Sequence, residues 1–162
     1  MRVNLRLTAL LVPCLLITGV ASAASFRATA AAVNDDQKLI HAGLEPEKAT
    51  LRRPCSAAVV ETDDPVESFN CVYVQTEKDV NLLTLEGGYL IPELQMKVNV
   101  MDGVALQRMG RFVQVQMFSG RKTAAFYIYG DTWLDAEQTE AVYLWLISQG
   151  VPQRAPRAWI GR

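Results

Sequence analysis

The chain has 162 residues, half of them hydrophobic and one fifth charged. That is one domain's length with enough apolar material for a core, and a composition too ordinary for a disordered or fibrous protein. Its 16 basic and 17 acidic residues give a formal net charge of −1, without the basic excess that would point to nucleic acid or to an anionic membrane surface.

Residues 1–23 read as a cleavable secretory signal. Arg2 and Arg6 form a positive start, Leu7 to Val20 an apolar stretch, and Ala21-Ser22-Ala23 a small-residue cleavage site. A membrane anchor would need about 20 apolar residues; this run is shorter and contains Pro13 and Gly19. A lipoprotein reading of Leu11-Val12-Pro13-Cys14 places a proline where a small residue is expected. The expected product is periplasmic or secreted, with no stable membrane anchor. Cleavage removes two arginines and no acid, moving the net charge from −1 to −3.

Cys14 leaves with the leader, so Cys55 and Cys71 remain as a pair in an oxidising compartment. Their spacing is not the C-x-x-C of a reactive dithiol, so a structural disulfide is expected.

Residues 24–33 are alanine-rich and read as a flexible lead-in. Residues 34–152 read as one domain. Asn34 is placed to cap a short helix with Asp35 and Asp36 in its first turn, and Gly43 ends it. Pro46 starts a further turn that stops before Pro54. Strands are expected over 56–61 and 69–75, the second rich in β-branched and aromatic residues, with an Asp63-Asp64-Pro65 turn between them. Val80 to Glu86 is a third strand. Gly87-Gly88 turns it into Tyr89-Leu90-Ile91, which Pro92 stops.

Leu94 to Met101 alternates, with Leu94, Met96, Val98 and Val100 on one face. Asp102-Gly103 predicts a hairpin to Val104–Met109. Arg111 to Phe118 alternates about Val113, Val115 and Met117. After a Ser119-Gly120-Arg121-Lys122 turn, Ala124, Phe126 and Ile128 oppose Ala125, Tyr127 and Tyr129. A helix then starts at Thr132 or Asp135, each with a capping-box partner, and runs through an apolar stretch, Val142 to Ile147, to about Gln149. Gly150 and Pro152 end it. Residues 153–162 read as an extended, loosely held tail carrying Trp159 among arginines.

The expected class is α+β: a single antiparallel, strongly bent sheet of six to eight strands, covered by one C-terminal helix, with a short N-terminal helix. In the order of its elements the chain resembles pleckstrin-homology-like domains, whose bent sheet is closed by a C-terminal helix. The likeness is one of layout, carried by no residue motif.

No catalytic motif stands out. His41 is the single histidine, with no nucleophile motif beside it. One histidine and two paired cysteines leave no zinc ligand set. The acid pairs Asp35/Asp36, Asp63/Asp64 and Glu45/Glu47 lie where turns and helix starts favour acids, and the glycine turns lack phosphate-loop spacing. No cofactor is expected. The surface singled out is Tyr127 and Tyr129, with Arg111, Arg121 and Lys122 near the turns of the same hairpin and Trp159 in the tail, because aromatic and arginine side chains anchor interfaces. The competing expectation is that these tyrosines carry a second layer, such as the N-terminal segment.

The function expected is that of a small exported, non-enzymatic binding protein of a bacterial envelope, of the inhibitor or immunity type, with a protein partner and no nucleic acid. The alternatives are a small carboxylate-based hydrolase, which needs an acid buried in a cleft, and a lipid or small-ligand carrier, which needs a cavity between sheet and helix.

Overall fold

The computed structural model describes residues 25–61, 66–130 and 133–161. The expected signal segment 1–23, the expected Asp63-Asp64-Pro65 turn and the expected Thr132 helix start lie outside them.

The alanine-rich stretch is not a flexible lead-in. Residues 25–32 are helical (α1), because alanine is the strongest helix former and Thr29, Ala32 and Val33 find a surface to bury on. A second helix, α2, spans Asp36–His41. Its cap is Asp35, one residue later than expected; the carboxylate accepts the Lys38 N–H at 3.3 Å. That bond, ahead of the charge on Lys38, holds the Asp35 carboxyl below the usual range. Gly43, at φ 87°, releases the chain from α2, and a 3-10 turn follows at Pro46–Lys48.

Seven strands form one antiparallel sheet: β1 Leu51–Val60, β2 Phe69–Gln75, β3 Asp79–Glu86, β4 Tyr89–Lys97, β5 Gly103–Met109, β6 Phe112–Ser119 and β7 Lys122–Ile128. Their order across the sheet is β4-β3-β2-β1-β7-β6-β5. The first and last strands pair at its centre, and β4 and β5 lie at opposite edges. Asp102-Gly103 is therefore not a hairpin turn. Asp102 instead caps the neighbouring turn, its side chain accepting the Gly120 N–H, and Gly103 pairs with Phe118 inside β5. The turn signal was real in composition, but β4 already has β3 as its partner.

Two prolines sit inside strands. β1 starts earlier than expected and runs through Pro54, whose carbonyl accepts the Tyr129 N–H at 2.9 Å. The missing N–H does no harm there, because the β1–β7 ladder begins only at Cys55↔Ile128. Pro92 continues β4 instead of stopping it. Here it is on an edge strand beside a bulge, where Leu83 faces Pro92, Leu82 faces Leu94, and Glu93 is the extra residue. The bulge also swaps faces: Leu90 points outward to α2, whereas Leu94 and Met96 point inward. Val98–Val100 leaves the strand as a 3-10 turn.

Helix α3 spans Ala136–Ser148, capped by Asp135, which accepts the Gln138 N–H at 2.9 Å. Its first turn is stitched to the end of β7. The buried Thr139 hydroxyl accepts the Ile128 N–H at 3.0 Å and donates to the Asp135 carbonyl at 2.7 Å, while Asp135 N–H bonds the Ile128 carbonyl. Gly150, at φ 91°, closes the helix. Val142, Tyr143 and Leu146 join a single core with inward residues of all seven strands, among them Tyr73, Leu82, Leu94, Val104, Met117 and Phe126. α3 itself lies on β5, β6 and β7, so the inward residues of β1 to β4 reach that core only because the sheet curls round it. Cys55 and Cys71 face each other across β1 and β2 and are disulfide-bonded, with Cα atoms 4.9 Å apart.

The outside of the sheet carries a second layer in two parts. α1 and α2 cover β2, β3 and β4 through Ala32, Val33 and Leu39 against Val72, Val74, Leu83 and Leu90. The segment after α3 covers β6, β7 and β1.

Candidate functional site

β7 sits between β1 and β6, and its alternation is as expected. Ala124, Phe126 and Ile128 point into the core, so Tyr127 and, just past the strand, Tyr129 stand on the outer face. Both are half-buried. Their rings meet edge to face at 5.4 Å and their hydroxyls lie 3.4 Å apart. Phe26 of α1 stands edge-on to Tyr129 at 5.0 Å. On the other side Trp159 lies 6.1 Å from Tyr127 and 6.4 Å from Phe112. The result is a row of five aromatic rings, Phe26–Tyr129–Tyr127–Trp159–Phe112, drawn from α1, β6, β7 and the final segment. Three of the four contacts are edge-to-face and the Tyr127–Trp159 pair is tilted at 39°; aromatic pairs of this kind stabilise by about 0.5–1.5 kcal/mol each beyond area burial. Burial, then the bond to the Tyr127 hydroxyl, pushes the Tyr129 phenol well above its ordinary value. The exposed Trp133 sits at the corner between β7 and α3, where its carbonyl accepts the Gly130 N–H.

The final segment is extended, as expected, but firmly held. It pairs in parallel with the β5 edge, where Val104 N–H bonds the Pro152 carbonyl and Arg154 N–H bonds the Val104 carbonyl. Arg154 lies over the Phe118 ring at 4.1 Å. Next come two glutamines of β6, both buried. Gln116 accepts the Arg157 N–H at 2.8 Å and donates to the Arg157 and Ala158 carbonyls. Gln114 donates to the Ile160 carbonyl at 2.7 Å and accepts the Ile160 N–H at 3.2 Å. The two amides also bond each other at 3.2 Å. Ile160 fills an apolar spot made by Ala58, Val60, Ala125 and Val66. Gly161 then passes so close to the residue before β2 that a Cβ there would collide with Ser68 Oγ, and it would also crowd Ala58 of β1 at 3.2 Å.

Of the residues singled out from sequence, the structure brings Tyr127, Tyr129 and Trp159 together. The three basic residues do not cluster. Arg111 is at one end of β6 and Arg121 and Lys122 are at the other, eight residues or about 25 Å of strand apart, because successive turns of a meander fall at opposite ends of the shared strand. Lys122 also pairs with Glu61 at 3.6 Å. Phe26, Phe112, Gln114 and Gln116 were not singled out. The two glutamines had one signal: polar positions opposite Val113, Val115 and Met117, in a strand hydrophobic enough to lie mid-sheet.

Little in the described residues supports the alternative chemistries. Every described carboxylate reaches solvent, so the buried acid that a carboxylate hydrolase needs is missing among them. His41 is exposed, edge-on to Tyr89 at 6.2 Å. No group of three or more metal-ligating side chains occurs among the described residues. The volume between sheet and α3, where a carried ligand would sit, is occupied by core side chains such as Tyr73, Phe126, Met117 and Leu146.

No protein-family model matches the chain, and no curated protein matches it. Among solved structures, one of Vav1 inhibited by an allosteric inhibitor overlaps 73% of this chain at 8% identity, with a TM-score of 0.44. This chain spans 29% of that one, and a likeness at this level adds nothing to the reading of the site.

Proposed function

We propose that this is a small exported, non-enzymatic binding protein of the bacterial envelope, of the inhibitor or immunity type, which holds a protein partner with its aromatic row. The observation that carries the reading is the row itself. Phe26, Tyr129, Tyr127, Trp159 and Phe112 form a continuous half-exposed surface, flanked by the exposed Trp133, and large rigid aromatics supply most of the binding energy where proteins meet. The leader-type N-terminus and the Cys55–Cys71 disulfide support export.

The test is photo-crosslinking from position 133 in envelope extracts, followed by titration of the purified partner. Tyr127→Ala is expected to weaken binding by about 2 kcal/mol or more, some thirty-fold. Wild-type affinity in both Tyr127→Ala and Trp133→Ala would remove this surface. Arg121→Ala, in the turn before β7 and about 20 Å from Tyr127, reports whether the footprint reaches the β6–β7 turn.

A further inference from the structure

The two glutamines of β6 are an unusual way to cover a sheet. Outward positions over a second layer are normally apolar, yet Gln114 and Gln116 are buried and direct their amides at the backbone of another segment. They hold the N–H and C=O of Ile160 and of Arg157, groups that every extended peptide presents whatever its sequence. Side-chain selection comes from the neighbours. Ile160 enters the spot lined by Ala58, Val60, Ala125 and Val66, Trp159 lies between Tyr127 and Phe112, and position 161 has no room for a Cβ. Backbone capture with side-chain pockets is how extended peptides are recognised in general.

We propose that the outer face of β6, β7 and β1 is a peptide-recognition groove that the chain keeps filled with its own residues 157–161. The ligand it takes is an extended segment of a partner protein carrying an aromatic–aliphatic–glycine triplet in place of Trp159-Ile160-Gly161. The proposal deepens the reading above by naming the kind of segment the partner offers, whose own aromatic residue takes the place of Trp159 in the row. The occupant is tethered rather than built in. Residues 152–156 are all exposed; Pro152 and Arg154 are anchored to β5 and Phe118, and Ala155 and Pro156 link that anchor to the segment on the glutamines. Residues 157–161 belong to none of the seven strands, so on this proposal their release breaks the bonds with Gln114, Gln116 and Thr123 and leaves every β-ladder paired. A tethered occupant sits at an effective concentration in the millimolar range, so only a segment that fits better than the chain's own displaces it.

The probe is a fluorescently labelled synthetic peptide of residues 153–162, titrated by anisotropy into the purified full chain. Ile160→Asp, which puts a charge among Ala58, Val60 and Ala125, releases the chain's own segment. This variant is expected to bind the peptide at least ten-fold more tightly than wild type does. Adding Gln114→Ala and Gln116→Ala is expected to weaken that binding ten-fold or more, and a scrambled peptide is expected not to bind. A folded Ile160→Asp protein that ignores the peptide, equal binding by wild type, equal binding of the scrambled sequence, or indifference to the glutamines would each overturn the proposal.

Amide exchange in the unaltered protein gives a second reading that needs no variant. The N–H groups of Arg157 and Ile160 should exchange at least ten-fold faster than that of Val115. Equal protection would make the segment an integral part of the fold and sink the groove. Peptide binding without partner capture would leave the groove standing and remove the aromatic-row reading; partner capture without peptide binding would do the reverse.

Discussion

Gln114 holds Ile160 by both of its backbone polar groups through one side-chain amide, donating at 2.7 Å and accepting at 3.2 Å. The two residues are 46 apart in sequence, so this bond exists only in the folded chain and ties its last stretch to the middle of the sheet. Breaking one side leaves the other buried and unpaired. Gln114→Ala or Gln116→Ala should each cost about 1–3 kcal/mol. The effect is read as a lower urea midpoint with an unchanged slope, together with faster exchange at the Arg157 and Ile160 amides.

Gly161 combines a left-handed backbone, φ 91°, with contact against Ser68 and Ala58. Gly161→Ala should lose about 1–2 kcal/mol for the backbone conformation alone, and more for the collision with Ser68 Oγ. Ser68→Ala in the same chain removes the colliding oxygen but not the backbone penalty. The double variant is expected to melt between the single Gly161→Ala variant and wild type. Melting temperatures from calorimetry decide it.

The disulfide joins directly opposed residues of β1 and β2 across a separation of 16. Replacing both cysteines by alanine frees that loop in the unfolded chain and should cost about 3 kcal/mol in the chain-entropy account. Chemical denaturation of the double variant against the oxidised parent measures it. The reduced wild type should fall close to the variant.

Alkaline pH should destabilise the protein. Tyr73 is fully buried and its phenol is pushed well up by burial; Tyr129 is raised by burial and by its bond to Tyr127. The unfolded chain releases these protons near the ordinary value of 10.0, while the folded chain keeps them. Above that pH the unfolded state therefore binds fewer protons, and stability falls as pH rises. The contribution is fully present below it. Urea midpoints measured at about pH 8 and above pH 10 should show the fall, and Tyr129→Phe should make it shallower. Phenolate absorbance should show these two tyrosines ionising only as the chain unfolds.

Local rules carried most of the element list. Period-two alternation placed Phe126 and Ile128 inward and Tyr127 and Tyr129 outward. Asp135 with Gln138, then Gly150 and Pro152, bounded α3, and the pairing of Cys55 with Cys71, once Cys14 was assigned to an expected leader, anticipated the bridge. These are effects of neighbours within a few residues, or of simple pairing, and a sequence states them directly. What the tertiary structure decided is everything that depends on which distant surface is vacant. β4 and β5 went to opposite edges despite Asp102-Gly103 between them, because pairing between β1 and β7 had set the sheet's order. The alanine-rich stretch became α1 because β2, β3 and β4 exposed an apolar outer face for α1 and α2. Alternation set Gln114 and Gln116 on the face opposite Val113, Val115 and Met117, but the polarity of a side chain does not say whether it bonds water or a backbone more than forty residues away. The row from Phe26 to Phe112 was invisible for the same reason: its five rings come from four places in the chain, and only the curled sheet puts them side by side.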